Sequence, residues 1–202
     1  MFVELLSWTV PGNQKESSLN LLRALHHQMD ASGGLVRSLV GREVRNPDCL
    51  VSLTFWKSWE DVARFLASSG SSILNEHGNN SSERPKPHHF EILWEWPQEE
   101  VDTKFGECFW SIHEFYPARA AMNQLLDGLR HWAPSLSASG GFRCAALWLD
   151  KNDDGHLALA TQWTGDGAPE LGLPEEIRAA SGRTTQIVAR LRVTDQYHLG
   201  VV

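Results

Sequence analysis

The sequence predicts an α+β fold built from two consecutive copies of one structural unit. Three observations support this prediction. Strand-like and helix-like segments alternate along the first half in the order β-α-β-β-α-β. Residues 19–56 have similar counterparts 107 positions further along the chain, without a gap. Residues 157–160 are all apolar, which is typical of a strand that is buried on both faces.

Each element of the first half has a local signal. Apolar residues at helical spacing predict a first helix that is capped by Ser17 or Ser18 and ends at Gly33 and Gly34. The pattern Ser-x-x-Asp that begins at Ser58 predicts the start of a second helix. Four runs rich in β-branched and aromatic residues predict the strands, at residues 2–10, 35–44, 50–56 and 89–96.

This order of elements is that of a ferredoxin-like unit, in which two helices cover one face of a four-stranded antiparallel sheet. The other face of such a sheet is bare and must be covered. A second copy within the same chain can cover it. We therefore predict two ferredoxin-like repeats, at residues 1–97 and 104–202, which pack together as an intramolecular dimeric α/β barrel.

The second half resembles a degenerate copy of the first. The same offset relates Thr54 to Thr161 and Trp56 to Trp163. A constant offset without a gap indicates internal duplication. The glycines and the proline at residues 165–169 replace the start of the second helix, so we expect only a short helix near 174–180. A last strand is predicted at residues 185–193.

Composition limits the functional classes. The net charge is −7, from 18 basic and 25 acidic residues without a basic stripe, so we expect neither nucleic acid nor a membrane as a partner. Three cysteines without a Cys-x-x-Cys pair, and no signal-peptide pattern, predict a cytoplasmic protein with reduced thiols. Nine tryptophans predict either dense aromatic packing or a flat cavity lined by aromatic rings.

Four segments carry a resemblance to a known family. They are residues 8–12 (WTVPG), 34–38 (GLVRS), 53–58 (LTFWKS, with Asp61 beyond it) and 89–92 (HFEI). In these segments the chain resembles the antibiotic biosynthesis monooxygenase family, within the dimeric α+β barrel superfamily. The resemblance covers residues 1–96 well and residues 105–193 more loosely, so the chain looks like a tandem-repeat member.

The resemblance implies a monooxygenase that acts on an aromatic or polyketide-type small molecule without a metal or flavin. Family members that oxidise polyketide anthrones have an Asn four residues before the Trp that ends the third strand. Trp56 occupies that Trp position, and Ser52 stands in place of the Asn. With a histidine from the following loop, the candidate catalytic residues are Trp56, Ser52 and His77.

The implied reaction needs a dry pocket, a hydrogen-bond donor near the substrate oxygen, and a base. Trp56 can stack on a ring or donate its indole N–H, and Ser52 lies on the same strand face as a weaker donor. His77 or His26 can act as the base because imidazole titrates near neutral pH. The candidate substrate-binding residues are Trp8, Leu22, His26 and Phe65. No metal site is predicted, since no ligand cluster has the required spacing.

Two alternatives stay open. The family's haem-degrading branch has an Asn on the first strand, a Trp on the second helix and a His about ten residues later, whereas this chain has Leu5 or Ser7, then Phe65, then His77. The chain thus lacks the triad of that branch, but His77 alone could still act as a ligand. A haem- or aromatic-ligand-binding protein is therefore kept as one alternative, with haem as its ligand. The other is a non-catalytic module that oligomerises beyond the internal pseudo-dimer, in which Trp56 and Trp163 are packing anchors.

Overall fold

The computed structural model describes residues 1–44, 46–67, 87–97, 108–117, 121–138 and 140–164, and the backbone of 186–198. Its fold class is α+β with antiparallel strand pairing, as predicted. Contacts divide the chain into two compact units. Unit 1 comprises Met1–Phe90 and Val193–Val202, and unit 2 comprises Glu91–Arg192. The repeat boundaries at 97 and 104 stay a prediction.

Unit 1 contains three strands that pair in the order β1-β3-β2, two helices and the start of a fourth strand. Strand β3 is central and antiparallel to both neighbours. The elements in chain order are β1 (Phe2–Thr9), a 3-10 turn (Gly12–Gln14), α1 (Lys15–Ala31), β2 (Leu35–Glu43), β3 (Cys49–Trp56), α2 (Trp59–Phe65) and β4 (His88–Trp96).

The core of unit 1 lies where the two helices meet one face of this sheet. Alternate residues of β3 point to that face, and its two apolar members, Leu50 and Trp56, are fully buried. The helices contribute their periodic apolar positions. The buried helix residues of this cluster are Leu19, Leu22, Leu25, Met29, Val62 and Phe65.

The first helix begins earlier than the predicted caps at Ser17 or Ser18. It starts at Lys15, and no side chain caps it. The 3-10 turn runs directly into the helix, so the helical backbone is already established before the two serines. The Ser17 hydroxyl instead donates a hydrogen bond of 2.8 Å back to the carbonyl oxygen of Gln14.

The second helix begins as its capping pattern predicts. The backbone N–H of Asp61 donates to the Ser58 hydroxyl oxygen at 3.2 Å, and that hydroxyl donates to the Asp61 carboxylate at 2.8 Å. Arg64 adds an ion pair to the same carboxylate at 2.9 Å. Ser58, together with Arg64, holds the pKa of Asp61 below its usual range.

Unit 2 pairs its strands in the order β8-β5-β7-β6-β4, with β4 contributing its part from Glu91 onward. The β5–β8, β5–β7 and β6–β7 pairs are antiparallel. Helix α3 packs on the buried side chains of β6 and β7, with Leu125 and Leu129 fully buried. Residues 157–160 are buried on both strand faces, as their apolar sequence predicts. The elements are β5 (Cys108–Phe115), α3 (Met122–Ser137), β6 (Phe142–Asp150), β7 (Leu157–Thr164) and β8 (Gln186–His198).

The three cysteines, Cys49, Cys108 and Cys144, are reduced thiols, as predicted. Four tryptophans rank among the largest fully buried side chains, which favours dense aromatic packing. Within the described ranges, no helix combines the length and apolar character needed to cross a membrane. The short helix predicted near 174–180 lies outside the described residues.

Gly34 allows the first turn of α2 to pack against the start of β2. Its φ of +85° is a left-handed conformation, and a Cβ at this position would overlap the carboxyl group of Asp61. The backbone also holds this junction, since Lys57 N–H donates to the Gly34 carbonyl oxygen at 2.9 Å. Glycine is therefore required here for two separate reasons.

We expect Gly34→Ala to lower the free energy of unfolding by about 3 kcal/mol, because conformational strain and overlap add. Gly33→Ala is the matched control for strain alone: its φ is +74° but nothing lies within 4 Å of its Cβ position. That variant should lose about 1–2 kcal/mol. Urea titration measures both, and equal losses would contradict the overlap argument.

We expect Asp61→Asn to cost about 1 kcal/mol at pH 7, since it removes the charged end of the capping box. The folded-state pKa of Asp61 is lowered, so this contribution is present above the unfolded pKa of about 3.9 and is lost as the pH falls through the folded value. The wild type and variant should therefore converge in acid. Urea titrations across this pH range measure the difference.

Asp127→Asn is the control for this pH dependence. Asp127 forms an ion pair with Arg130 at the same spacing, but both side chains are mostly exposed. We expect a loss of no more than about 0.5 kcal/mol at any pH. A loss as large as that of Asp61→Asn would show that the capping geometry is not the cause.

Candidate functional site

Three polar side chains form a buried cluster in unit 1. His26 Nε2 lies 3.0 Å from the Ser52 hydroxyl oxygen, and His26 Nδ1 lies 3.1 Å from that of Ser38. The exposed fractions are 1% for His26, 0% for Ser38 and 3% for Ser52. The imidazole thus links two serines out of contact with solvent.

Secondary structure determines how these residues meet. His26 follows Leu22 by one helical turn, so it lies on the buried face of α1. Ser38 on β2 pairs with Thr54, and Ser52 on β3 pairs with Val40. The two serines are therefore diagonal neighbours on the sheet face that α1 covers.

The three side chains can form a chain of hydrogen bonds in which each group donates to the next. A neutral imidazole has one N–H donor and one acceptor nitrogen, whereas a hydroxyl can donate and accept together. If Ser38 donates to Nδ1, then Nε2–H donates to Ser52, and the Ser52 proton can point to a third group. Such a chain polarises its last donor, in this case Ser52.

Trp56 lies on the same strand face as Ser52, as predicted. It is fully buried, and its indole N–H donates to the Thr54 hydroxyl at 3.1 Å. Its ring lies 5.6 Å from that of Phe65. The indole donor is thus engaged within the protein, so the ring offers a substrate an apolar wall more readily than a hydrogen bond.

The structure brings most of the predicted site residues together. Leu22, Trp56 and Phe65 belong to one core cluster, and Trp8 packs against it while half-buried. His26 and Ser52 are in direct contact. His77 lies outside the described residues, so its role stays a prediction.

A second polar contact on the same sheet face was not anticipated from the sequence. The Glu4 carboxylate lies 3.0 Å from His89 Nε2, and the two side chains are 5% and 12% exposed. The Trp59 ring meets the His89 imidazole edge to face at 5.3 Å. The sequence signal for this contact is Glu4 itself, an acidic residue between the apolar residues Val3 and Leu5 of β1. Ser38 was also missed, because serine in a strand gives no signal of its own.

Unit 2 has apolar residues where unit 1 has the cluster. At the constant offset between the two halves, His26, Ser38 and Ser52 correspond to Ala133, Ala145 and Leu159, each with an exposed fraction of 0%. The strand register corresponds as well, since Ala145 pairs with Thr161 and Leu159 pairs with Leu147.

The scaffold around these positions recurs, however. Trp163 donates its indole N–H to Thr161 at 3.0 Å, as Trp56 does to Thr54. The tryptophan–threonine bond is therefore present in unit 2 without the His26, Ser38 and Ser52 counterparts.

Unit 2 has polar contacts of its own. Ser111 Oγ lies 3.1 Å from His113 Nε2, and His156 lies between Asp150 at 3.0 Å and Glu114 at 3.4 Å. Among the residues that the structure describes, no group of three or more His, Cys, Asp or Glu side chains could hold a metal ion.

Comparison with known proteins yields similarity in structure alone. No known family model and no curated protein matches the sequence. Solved structures do match nearly the whole chain, and three of them illustrate the similarity. A candidate monooxygenase from Fusobacterium nucleatum has a TM-score of 0.74 at 7% identity, covering 98% of this chain and 94% of its own.

Two other solved structures match a similar share of the chain. An anthrone oxidase-like protein has a TM-score of 0.67 at 16% identity, with 98% of this chain and 92% of its own covered. A candidate monooxygenase from Lactobacillus acidophilus has a TM-score of 0.66 at 11% identity, with 96% and 93% covered. This chain is therefore similar in fold to a group of structures described as monooxygenases or as anthrone oxidase-like.

We expect the cluster to behave as one energetic unit. His26→Ala alone leaves two buried hydroxyls unsatisfied beside a cavity and should lower the free energy of unfolding by about 3 kcal/mol. The triple variant His26→Ala, Ser38→Ala, Ser52→Leu adopts the residues of unit 2. Its loss should be smaller than the sum of the three single losses by about 2 kcal/mol, measured by urea titration. Additive losses would contradict this coupling.

Proposed function

We propose that this chain is a monooxygenase that oxidises an aromatic, polyketide-type small molecule in unit 1, without a metal or flavin. One observation carries the proposal: unit 1 contains the buried cluster of His26, Ser38 and Ser52, whereas unit 2 has alanine, alanine and leucine at the corresponding positions. The similarity in fold to candidate monooxygenases and to an anthrone oxidase-like protein supports the choice of reaction.

Burying the three polar side chains of this cluster costs free energy. A polar side chain taken out of water loses its hydration, and internal hydrogen bonds recover little more than that loss. In unit 2, one helix and two strands have apolar residues at the corresponding positions, and all three residues are fully buried. A polar cluster that the fold does not need is better explained by chemistry than by stability.

For an anthrone, one molecule of oxygen converts the ring methylene group into a ketone and releases one molecule of water. A base removes a proton from the methylene carbon, which leaves an enolate. The enolate transfers an electron to oxygen, the two radicals combine into a peroxide, and loss of water leaves the ketone. The protein has to bind the ring, stabilise the enolate oxygen and exclude water.

The residues of unit 1 suit these tasks. Ser52, at the end of the chain of hydrogen bonds from Ser38 through His26, donates to the enolate oxygen. Trp56, Phe65 and Leu22 form the apolar walls, and half-buried Trp8 lies at their edge. Ser52 and these apolar side chains, apart from Trp8, are buried, so a substrate ring enters only if side chains move aside. His77 stays a candidate catalytic residue.

We also propose that the two units arose by duplication of a ferredoxin-like repeat. Features of the backbone at the same offset support this. Lys57 N–H donates to the Gly34 carbonyl oxygen at 2.9 Å, and Thr164 N–H donates to that of Gly141 at 2.7 Å. Both glycines have a positive φ. In this proposal the second repeat is mainly structural and has lost the polar cluster.

We expect the wild type to consume oxygen when an anthrone is added, and Ser52→Ala to lower kcat about 100-fold. The physical reason is the loss of the donor to the enolate oxygen. An oxygen electrode measures the rate, and product absorbance confirms formation of the ketone. Ser111→Ala is the matched control, because Ser111 is a buried serine bonded to a histidine in unit 2. It should retain the wild-type rate.

Two results would reject the proposal. One is the absence of oxygen consumption with a panel of anthrones and phenols. The other is a Soret band on titration with haem that His77→Ala abolishes, which would support the haem-binding alternative. If the chain binds neither haem nor an aromatic ligand, the non-catalytic oligomerising module becomes the better description.

A further inference from the structure

Glu4 and His89 form a buried carboxylate–imidazole pair that is separate from the cluster of His26, Ser38 and Ser52. Glu4 is nearly inaccessible to solvent, and its carboxylate lies 3.0 Å from His89 Nε2. A buried carboxylate and imidazole contribute little to stability, because desolvation offsets their attraction. Carboxylates and imidazoles are side chains that act as general acids and bases.

The strand register places Glu4 beside the candidate site. Glu4 pairs directly with Thr54 across β1 and β3. Its diagonal neighbours on that face are therefore Ser52 and Trp56, with Cα atoms about 7–8 Å away. A ring held against Trp56, with its oxygen at Ser52, would lie within reach of the Glu4 side chain.

His26 of helix α1 suits the base role less well. Both ring nitrogens of His26 lie within hydrogen-bonding distance of serine hydroxyls. Removing a proton from a substrate would require His26 to break one of these bonds. The Glu4 carboxylate has two oxygens with several acceptor positions, and Oε2 alone lies within hydrogen-bonding distance of His89.

The geometry points to Glu4 as the general base of the reaction and to His89 as the residue that passes the proton on to solvent. This inference rests on the proposed function. The methylene C–H bond breaks, its electron pair remains in the enolate, and the proton goes to Glu4. His89 then carries it outward, being more exposed than Glu4. Glu4 is the catalytic residue here, and His89 acts through it.

Unit 2 again provides a contrast. At the offset that relates the two halves, Glu4 corresponds to Ser111, so unit 2 has no carboxylate at this place in its first strand. The scaffold pair Thr161 and Trp163 is nevertheless present. The carboxylate therefore occurs in the unit that has the serine and histidine cluster, and it is absent at the corresponding position of the unit that lacks the cluster.

The first measurement is proton exchange without oxygen. An anthrone in deuterated water under anaerobic conditions exchanges its methylene protons when a base removes them, and NMR follows the loss of the C–H signal. We expect the wild type to accelerate this exchange and Glu4→Gln to slow it about 100-fold. In air, kcat for oxygen consumption should fall by the same factor with KM little changed.

The second variant tests the pair if Glu4→Gln fails to fold. His89→Ala should lower kcat about tenfold, and added imidazole should restore the rate. The matched control is Glu114→Gln, because Glu114 forms a carboxylate–imidazole pair with His156 in unit 2. It should retain the wild-type exchange and kcat.

The outcomes separate this inference from the proposed function. Oxidation by the wild type with undiminished exchange and kcat in Glu4→Gln overturns the inference and leaves the function intact. Loss of both rates in Glu4→Gln, with Glu114→Gln unaffected, supports it. A wild type that neither exchanges nor oxidises the anthrone overturns both.

Discussion

The register of strand β3 is the constraint on which the candidate site depends. Side chains on a strand alternate between two faces, so a slip of one residue would turn Ser52, Thr54 and Trp56 away from the helices. Pairing with β1 and β2 prevents such a slip, and nearly every β3 residue is buried. The same pairing places Glu4 opposite Thr54 and Ser38 diagonal to Ser52. The polar groups thus meet because the sheet is held in one register.

The two units have different residues at corresponding positions between a helix and the strands it packs on. Each packs a helix against strands and bonds a tryptophan to a threonine two residues earlier. Unit 1 then places His26 between two serines, whereas unit 2 fills the corresponding positions with alanines and leucine. The tryptophan is common to both and so belongs to the scaffold. Ser52 and its partners, and not Trp56, are therefore the residues that distinguish unit 1 and that we propose take part in the reaction.

Local signals in the sequence predicted the elements well. The capping box at Ser58 marks the start of α2, and helical periodicity identifies His26 as a core-facing residue of α1. The start of α1 was misplaced because a 3-10 turn replaces the side-chain cap. Ser38 and Glu4 were not recognised, since their importance comes from partners 12 and 85 residues away in the sequence. No local pattern encodes such distances.

The sequence by itself determined the strands and helices, because hydrophobic period, caps and glycines act within a few residues. It also determined the offset that relates the halves, and which half retains Ser52. Only the tertiary structure decided which polar groups meet. Contact between His26, Ser38 and Ser52 requires a helix and two strands packed at one register. The direction of the Trp56 indole N–H toward Thr54 was likewise decided by packing, since a side-chain rotamer depends on its three-dimensional neighbours.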